Sequence, residues 1–370
     1  MKILYVTTIG GTMSFFIEHF KMLIAEGHSV ELACNTSSPV EQNILDLDVK
    51  IHNVQFSRTP LSCDNIIAYR QLYKIVKLNS YDIIHCHTPN AAVITRLVCK
   101  KMRKLGLKVF YTAHGFHFYK GAPIKNWMMY YPVEWLCAHW TDVLILINQE
   151  DYKFAQKHIK AKQIEYIPGI GLNLNRFSNV KVDKVAKRNE LNIPEDCFLM
   201  TSVGELNRNK NHEIIIRAMA ELKNAKVHYA IAGKGENRLY LLELARKLGV
   251  SEQLHLLGFR KDIPELYYIS DICCFPSFRE GLGMAVLEGM ACGLPVIVAN
   301  NRGTRDVCIN GKNGIVCEAR DVYQFRDAIE FMILHPEIRC EMAKRNLEKV
   351  KKFEVGNVLE KMHKIYNSNI

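Results

Sequence analysis

The sequence predicts two doubly wound parallel α/β domains in tandem, and three observations carry that reading. Short apolar runs alternate with helical patterns, and the alternation restarts after a break rich in Pro, Gly and Asn at 168–180 (PGIGLNLNRFSNV). The chain has 370 residues, more than one ordinary core holds. Near its end, the run DICCFP is followed by SFREGLGMAVLEGMACG and then by LPVIVA over 271–299. That last order reads as strand, turn, helix, strand, the unit from which parallel sheets are built.

Taken in order, the first half offers strands at 3–7, 29–33, 50–54, 83–86, 109–112, 143–147 and 164–167. Helices are expected between them at 14–26, 64–77, 90–104, 125–139 and 149–160, with Ser14 as an N-cap and Gly27 and Gly106 as C-terminal stops. After the break come strands at 198–203, 227–232, 253–257, 272–275, 295–299 and 314–317, with helices at 211–222, 236–248 and 284–290. From 321 onward the pattern is helical, ending in an amphipathic segment at 358–365. The domains are therefore drawn at 1–170 and 181–352, with a hinge at 171–180 and a terminal helix at 353–370. Sheets of this kind bind ligands outside the carboxyl ends of their strands, so the site is expected in a cleft between the two.

Composition is that of an ordinary globular protein, with 48% hydrophobic and 24% charged residues. No apolar run approaches the ~18 residues of a membrane span, and the opening segment 1–8 reads as a first strand rather than a leader. Twelve cysteines are scattered without a CxxC pair, which reads as reduced thiols and a cytoplasmic protein. The net charge of +11 is concentrated: residues 51–125 carry 12 Lys/Arg against Asp64 and Asp82. Nucleic acid is one conceivable partner for it, but no aromatic-interleaved basic motif or nucleic-acid module accompanies the charge, so none is expected. An anionic membrane surface or a lipid phosphate fits that charge, as does a merely solvated basic face.

The stretch 277–293 holds the densest chemistry. Gly281 and Gly283 would leave backbone N–H groups free at a helix N-terminus, which suits an anion. Glu280 lies in the turn, and Glu288 follows within about 12 Å by helical rise. Two carboxylates flanking an anion cradle fit a nucleotide sugar, although an ordinary βα turn with two surface glutamates would look the same. Gly10 and Gly11 follow the first strand and permit close approach to a phosphate, but neither this turn nor Gly233-Lys-Gly235 has the G-x-G-x-x-G spacing of a dinucleotide fold. A nicotinamide or flavin cofactor is therefore not expected. His85, His87, His114 and His117 cluster at strand ends in no zinc spacing, so metal is not expected either. His114, beside Gly115, suits substrate hydrogen bonding or acid/base work, whereas His85 and His87 read as structural. In Ser202-Val-Gly-Glu-Leu-Asn-Arg-Asn-Lys210, Arg208 and Lys210 would reach a diphosphate from the loop, unless they are simply solvated.

Together these segments resemble the retaining glycosyltransferases of family 4 (group 1), of GT-B fold. The likeness covers essentially the whole chain. It is carried by Glu280-x7-Glu288 in REGLGMAVLEGMACGLPVI, then Gly303 and Asn313-Gly314, and by the Gly-Gly turn, Asp82-Ile-Ile-His85, TAHG and VGELNRNKN. It is closest to the branch that builds bacterial capsular polysaccharides and exopolysaccharides. The resemblance implies two Rossmann-like domains facing across a cleft, with the C-terminal helix crossing back to the first. It implies Glu280 on the donor sugar, Glu288 on the ribose, and the amides of Gly281, Leu282 and Gly283 on sugar and phosphate. Gly11 would face the diphosphate, Lys210 would bind phosphate, and His114 would lie near the anomeric centre. Phe259 and Arg260 fall in the loop that would contact the base, and UDP is the expected nucleotide. No metal or other cofactor is implied, since cations and helix N-termini neutralise the leaving diphosphate. Two departures stand out: Glu205 occupies a position where many members have arginine, and Asp306 stands where the usual acid is one carbon longer.

The implied activity is retaining, metal-independent transfer of a sugar to a lipid-linked saccharide for cell-surface polysaccharide. The basic region 51–125 would then seat the enzyme on the inner membrane face against a polyprenyl-diphosphate acceptor, with Tyr119, Trp127, Tyr130, Tyr131 and Trp135 as interfacial aromatics, most of which also suit a core. A sugar-nucleotide epimerase or hydrolase of the same fold, or a non-catalytic nucleotide-sugar binder, are the alternatives.

Overall fold

The computed structural model describes residues 1–178 and 180–369. Of the expected hinge and terminal helix, Asn179 and Ile370 lie outside the described residues. The chain forms two compact units, residues 1–171 together with the segment from Val355 onward, and residues 172–354.

The first unit is built on seven parallel strands: β1 (Lys2–Ile9), β2 (Ser29–Asn35), β3 (Lys50–Asn53), β4 (Ile83–Cys86), β5 (Lys108–Ala113), β6 (Val143–Leu146) and β7 (Gln163–Tyr166), in the order β3-β2-β1-β4-β5-β6-β7. The second has six: β8 (Phe198–Val203), β9 (Val227–Ala232), β10 (Leu254–Gly258), β11 (Ile272–Phe275), β12 (Val296–Ala299) and β13 (Gly314–Cys317), in the order β10-β9-β8-β11-β12-β13. Strands such as β4 (IIHC) and β11 (ICCF) are buried on both faces, which is why they read as continuous apolar runs rather than alternations. In each sheet the strand order reverses once, between β1 and β4 and between β8 and β11. The loops that follow those four strands therefore diverge and leave a crevice, and Gly10 and Gly11 follow β1 while Lys210 and Glu280 follow β8 and β11.

Helix boundaries depart from the sequence pattern where local chemistry intervenes. Ser14 is not an N-cap. A 3-10 segment (Gly10–Phe16) precedes the helix Ile17–Ala25, and the Ser14 hydroxyl donates to the Gly11 carbonyl at 3.0 Å. The helix expected to reach residue 104 ends at Cys99 and is followed by a 3-10 turn, Met102–Leu105, that Gly106 closes at φ 103°. The helical tail is three helices, Val322–Leu334, Pro336–Val350 and Val355–Asn367, the second opening on a proline at its first turn. Short helices at Lys184–Glu190, Ile263–Tyr268 and Arg302–Val307 have too few apolar positions for periodicity to reveal them.

The helix Val355–Asn367 belongs to the first unit. Val358, Met362, Ile365 and Tyr366 form its buried stripe, spaced as one helical face requires. Tyr366 anchors it. Its hydroxyl meets Tyr5 Oη at 2.7 Å and His85 Nδ1 at 2.7 Å, and His85 Nε2 continues to Thr112 Oγ1 at 2.8 Å. Both His85 nitrogens are thus satisfied inside the core, a structural histidine. Beside the sheet, Arg96 is buried against Glu134 with two hydrogen bonds of 2.8 and 3.1 Å and stacks 4.3 Å from the Tyr111 centroid. Arg103 is similarly held by Asp142. Two of the 12 bases in 51–125 are therefore spent on the fold.

Candidate active site

In the second unit the loop after β8 is shaped by glycines. A Cβ on Gly233 would lie 1.8 Å from the Gly204 carbonyl oxygen, and one on Gly235 would lie 2.4 Å from that of Leu206. Gly233-Lys-Gly235 is therefore a seat for the 204–206 backbone, which accounts for the paired glycines without any dinucleotide. Asn207 caps the following turn through Lys210 N at 3.0 Å. The Lys210 stem then crosses Gly204, where a Cβ would come within 3.1 Å of Cε. Its Nζ reaches Glu280 Oε1 at 2.8 Å and lies 4.9 Å from the Phe275 ring centroid. The switch point thus brings together a base and an acid separated by 70 residues.

The loop after β11 is strapped on both sides. Asn209 Nδ2 donates to the Arg279 carbonyl at 3.0 Å and Phe278 N to the Asn209 carbonyl at 2.8 Å. Asn301 Nδ2 donates to the Ser277 carbonyl at 2.9 Å, and the buried Arg302 approaches the Glu280 carbonyl through Nε at 3.4 Å. A Cβ on Gly303 would stand 2.9 Å from Gly281 C and Leu282 N, so only glycine lets the helix Arg302–Val307 press on this loop. Gly283 adopts φ 89° and opens the helix Met284–Ala291. The amides of Gly281, Leu282 and Gly283 donate to no acceptor among the described residues, and the hydroxyl of buried Ser277 is also without a partner. Three unengaged donors at a helix start, beside an ammonium, make an anion cradle.

Glu288 lies on the second turn of that helix. Burial pushes its carboxyl up to about 7, with Arg176 pulling the other way. In the first unit His114 follows β5, with Nε2 at 3.3 Å from His87 Nδ1. Burial pushes His114 down to about 4, so at physiological pH it is neutral and offers a hydrogen bond rather than a charge. Among the described residues no group of three His, Cys, Asp or Glu is arranged to hold a metal ion.

The other residues singled out in the sequence have these surroundings. Gly10 is glycine because a Cβ would strike the Ser38 carbonyl oxygen at 2.3 Å, and the Gly11 amide points to Ser38 Oγ at 3.4 Å. Arg260 is bound by Asp262 and by Glu190, the latter at 3.0 Å, while Phe259 stands exposed. Arg208 lines a cavity whose walls include neither Lys210 nor Glu280. Glu205 is exposed and accepts from Asn207 Nδ2 at 2.8 Å. Asn209, Asn301 and Arg302 were not singled out by the sequence. An Asn two residues past a strand, ahead of Arg-Gly, is a capping signal that points to Asn301.

Two parallel-sheet Rossmann-like units, one of them with an anion cradle at its strand switch point, set the fold class, and comparison with known proteins gives the family. A glycosyl transferase 4-like model matches residues 2–148, and a model of glycosyl transferases group 1 matches residues 183–349. A Bacillus subtilis (strain 168) protein named "Putative glycosyltransferase EpsD" is 38% identical over 99% of this chain and 96% of its own length. An Escherichia coli UDP-Gal:alpha-D-GlcNAc-diphosphoundecaprenol alpha-1,3-galactosyltransferase is 28% identical over 87% of this chain and 84% of its own. The structure of Anabaena Alr3699/HepE in complex with UDP and glucose superposes with a TM-score of 0.83 at 19% identity, covering 100% of both chains, and shares the fold. The chain belongs to the family 4-like, group 1 glycosyltransferases and is a glycosyltransferase.

Proposed function

We propose that the enzyme moves a sugar from a UDP-sugar to a polyprenyl-diphosphate-linked saccharide, with retention of anomeric configuration and without a metal, in bacterial capsular or exopolysaccharide synthesis. The observation that carries this reading is the cradle itself: three free amides, Lys210 and Glu280 within one loop pair. The E. coli relative's name gives a UDP-sugar donor and an undecaprenyl-diphosphate acceptor, and the Anabaena structure holds UDP and glucose. Glu280 would take the sugar hydroxyls, Glu288 the ribose, and the amides with Lys210 the diphosphate. The acceptor oxygen attacks the anomeric carbon on the face the diphosphate leaves. The carbon–phosphate-oxygen bond breaks as the new glycosidic bond forms, and the acceptor proton passes to the departing phosphate oxygen. Charge developing on that oxygen meets Lys210 and the backbone dipoles, each such contact being worth roughly 3 kcal/mol. Neutral His114 donates or accepts a hydrogen bond at the sugar.

Among the described residues no helix is long and apolar enough to cross a membrane. A peripheral seat on the inner face, from the cytoplasmic side, fits the surface of the first unit. The helix Ile124–Ala138 exposes Ile124, Met128, Met129, Val133, Trp135 and Leu136, near the exposed bases Lys120 and Lys125. Of the five aromatics considered as anchors only Trp135 is exposed; Trp127, Tyr130 and Tyr131 pack against the core.

A panel of nucleotide sugars with purified protein, a polyprenyl-diphosphate saccharide and EDTA tests the chemistry, read by released nucleotide and by NMR of the product anomer. UDP release that requires acceptor, survives EDTA and yields the donor's anomer is expected. An inverted product, or strict dependence on a divalent ion, would defeat the proposal, and release without acceptor would favour the hydrolase reading. Sedimentation with anionic vesicles tests the seat, which fails if binding ignores both salt and lipid charge.

A further inference from the structure

A cavity of about 670 Å³ lies within the second unit; its wall includes Asn209 and Phe278, which strap the cradle loop, but neither Lys210 nor Glu280, and the transfer mechanism does not use it. Its volume falls in the range of small-molecule sites. Three arginines line it, Arg208, Arg217 and Arg320, and none forms a salt bridge among the described residues. Glu213 is the single acid on its wall, and the Tyr240 hydroxyl holds that carboxylate at 2.6 Å.

Three helices begin at the same place. His212–Leu222, Arg238–Lys247 and Val322–Leu334 each contribute residues of their first turn or cap to the wall. The first two have no side-chain cap; Ile214 N and Arg238 N turn back to the Asn211 and Gly235 carbonyls, and among the described residues the amides of Glu213 and Tyr240 are left for another acceptor. His212, on the wall and buried, binds the Tyr229 hydroxyl through Nδ1 at 3.0 Å, while its Nε2 has no hydrogen-bond partner. Converging helix starts, a net excess of two guanidinium charges and an unsatisfied buried imidazole are the donors a phosphoryl group needs, and arginine binds its oxygens in pairs. Ile214, Leu241 and the Phe278 ring, over which Arg320 stacks at 5.6 Å, give the remainder of the wall an apolar character suited to the carbon part of a ligand.

We infer that this cavity is a binding site for a phosphorylated small metabolite, separate from the donor cradle. Calorimetric titration of the full-length protein with inorganic phosphate, glucose 6-phosphate and UDP tests it. Glucose 6-phosphate is expected to bind the wild type more tightly than inorganic phosphate does. Arg217→Ala combined with Arg320→Ala should weaken that binding at least tenfold while leaving UDP binding within twofold. Lys210→Ala should do the reverse. Arg320→Glu, at an exposed position, keeps the test sound if the double variant folds poorly. Absence of glucose 6-phosphate binding at millimolar concentration, its persistence in the arginine variants, or its displacement by UDP with loss in Lys210→Ala would each overturn the assignment. A failure of the UDP arm alone would fall on the cradle reading and not on this site.

Discussion

Glu280 and Lys210 illustrate how a residue pair is decided by what surrounds it. Their 2.8 Å contact is partly shielded, with side chains 16% and 21% exposed, so the pair holds both groups in place before any ligand arrives. Removing either leaves the other without its partner and, on the proposed reading, removes a contact to the donor. Glu280→Ala and Lys210→Ala are each expected to lower transfer by roughly 100-fold or more with the far-UV circular dichroism unchanged. Near-normal turnover by either folded variant would remove it from the site. Glu288 behaves differently. Its carboxyl is raised by burial from 4.5 to about 7, so the folded state holds a proton that the unfolded chain has lost. The cost is absent below pH 4.5, grows as pH rises, and is complete above 7, at about 3 kcal/mol for such a shift. Glu288→Gln should therefore raise the melting temperature at pH 8 and leave it unchanged near pH 4. It should also weaken the donor if the carboxylate meets the ribose. Equal stabilisation at both pH values would place the cause elsewhere than the buried charge.

At the scale of elements, the cradle depends on a turn pressed from behind. Gly303 begins the helix that supports the 280–282 backbone, and the 2.9 Å clearance leaves no room for a methyl group. Gly303→Ala should push the free amides out of register and raise the donor KM at least tenfold, while unfolding shifts by about 1–3 kcal/mol. An unchanged KM would mean that the loop is not set by this contact. The buried pair Arg96–Glu134 acts on another element, tying the helix Pro89–Cys99 to the helix Ile124–Ala138. Glu134→Ala strands a guanidinium inside the core and should cost about 3–5 kcal/mol by denaturant titration. A loss below 1 kcal/mol would show that the arginine finds another partner. Much of this scale was legible in the sequence. Strand positions followed from apolar runs, since buried parallel strands have no polar face. The helix start at Ser14 and the helix end at residue 104 were misjudged because 3-10 turns obey a different period from the helices they adjoin.

For the molecule as a whole, the last helix completes the first unit through Tyr366. Tyr366→Phe would orphan both Tyr5 Oη and His85 Nδ1, and is expected to destabilise that unit by about 1–3 kcal/mol. Four imidazoles, His19, His85, His87 and His114, share this core, and burial depresses each of them. The unfolded chain takes up protons below about 6.5 that the folded unit refuses. Stability contributed by their neutral state is thus whole above that pH and lost as acid is added. The melting temperature should fall between pH 6.5 and 5, and a flat profile across that window would show that the cluster admits protons without opening.

Composition and order alone determined the parallel α/β class, the break between two repeats, the carboxylate pair around a glycine turn and the family that those motifs mark. Such features are local or periodic, so they survive in one dimension. Tertiary structure decided which charges are available. It joined Lys210 to Glu280 across 70 residues, withdrew Arg96, Arg103 and Arg260 into ion pairs, and assigned Gly10 and Gly233 to packing. It also gathered Arg208, Arg217 and Arg320 around one cavity. Partners of this kind are set by which strands lie side by side, and strand order is a property of the folded sheet rather than of the sequence.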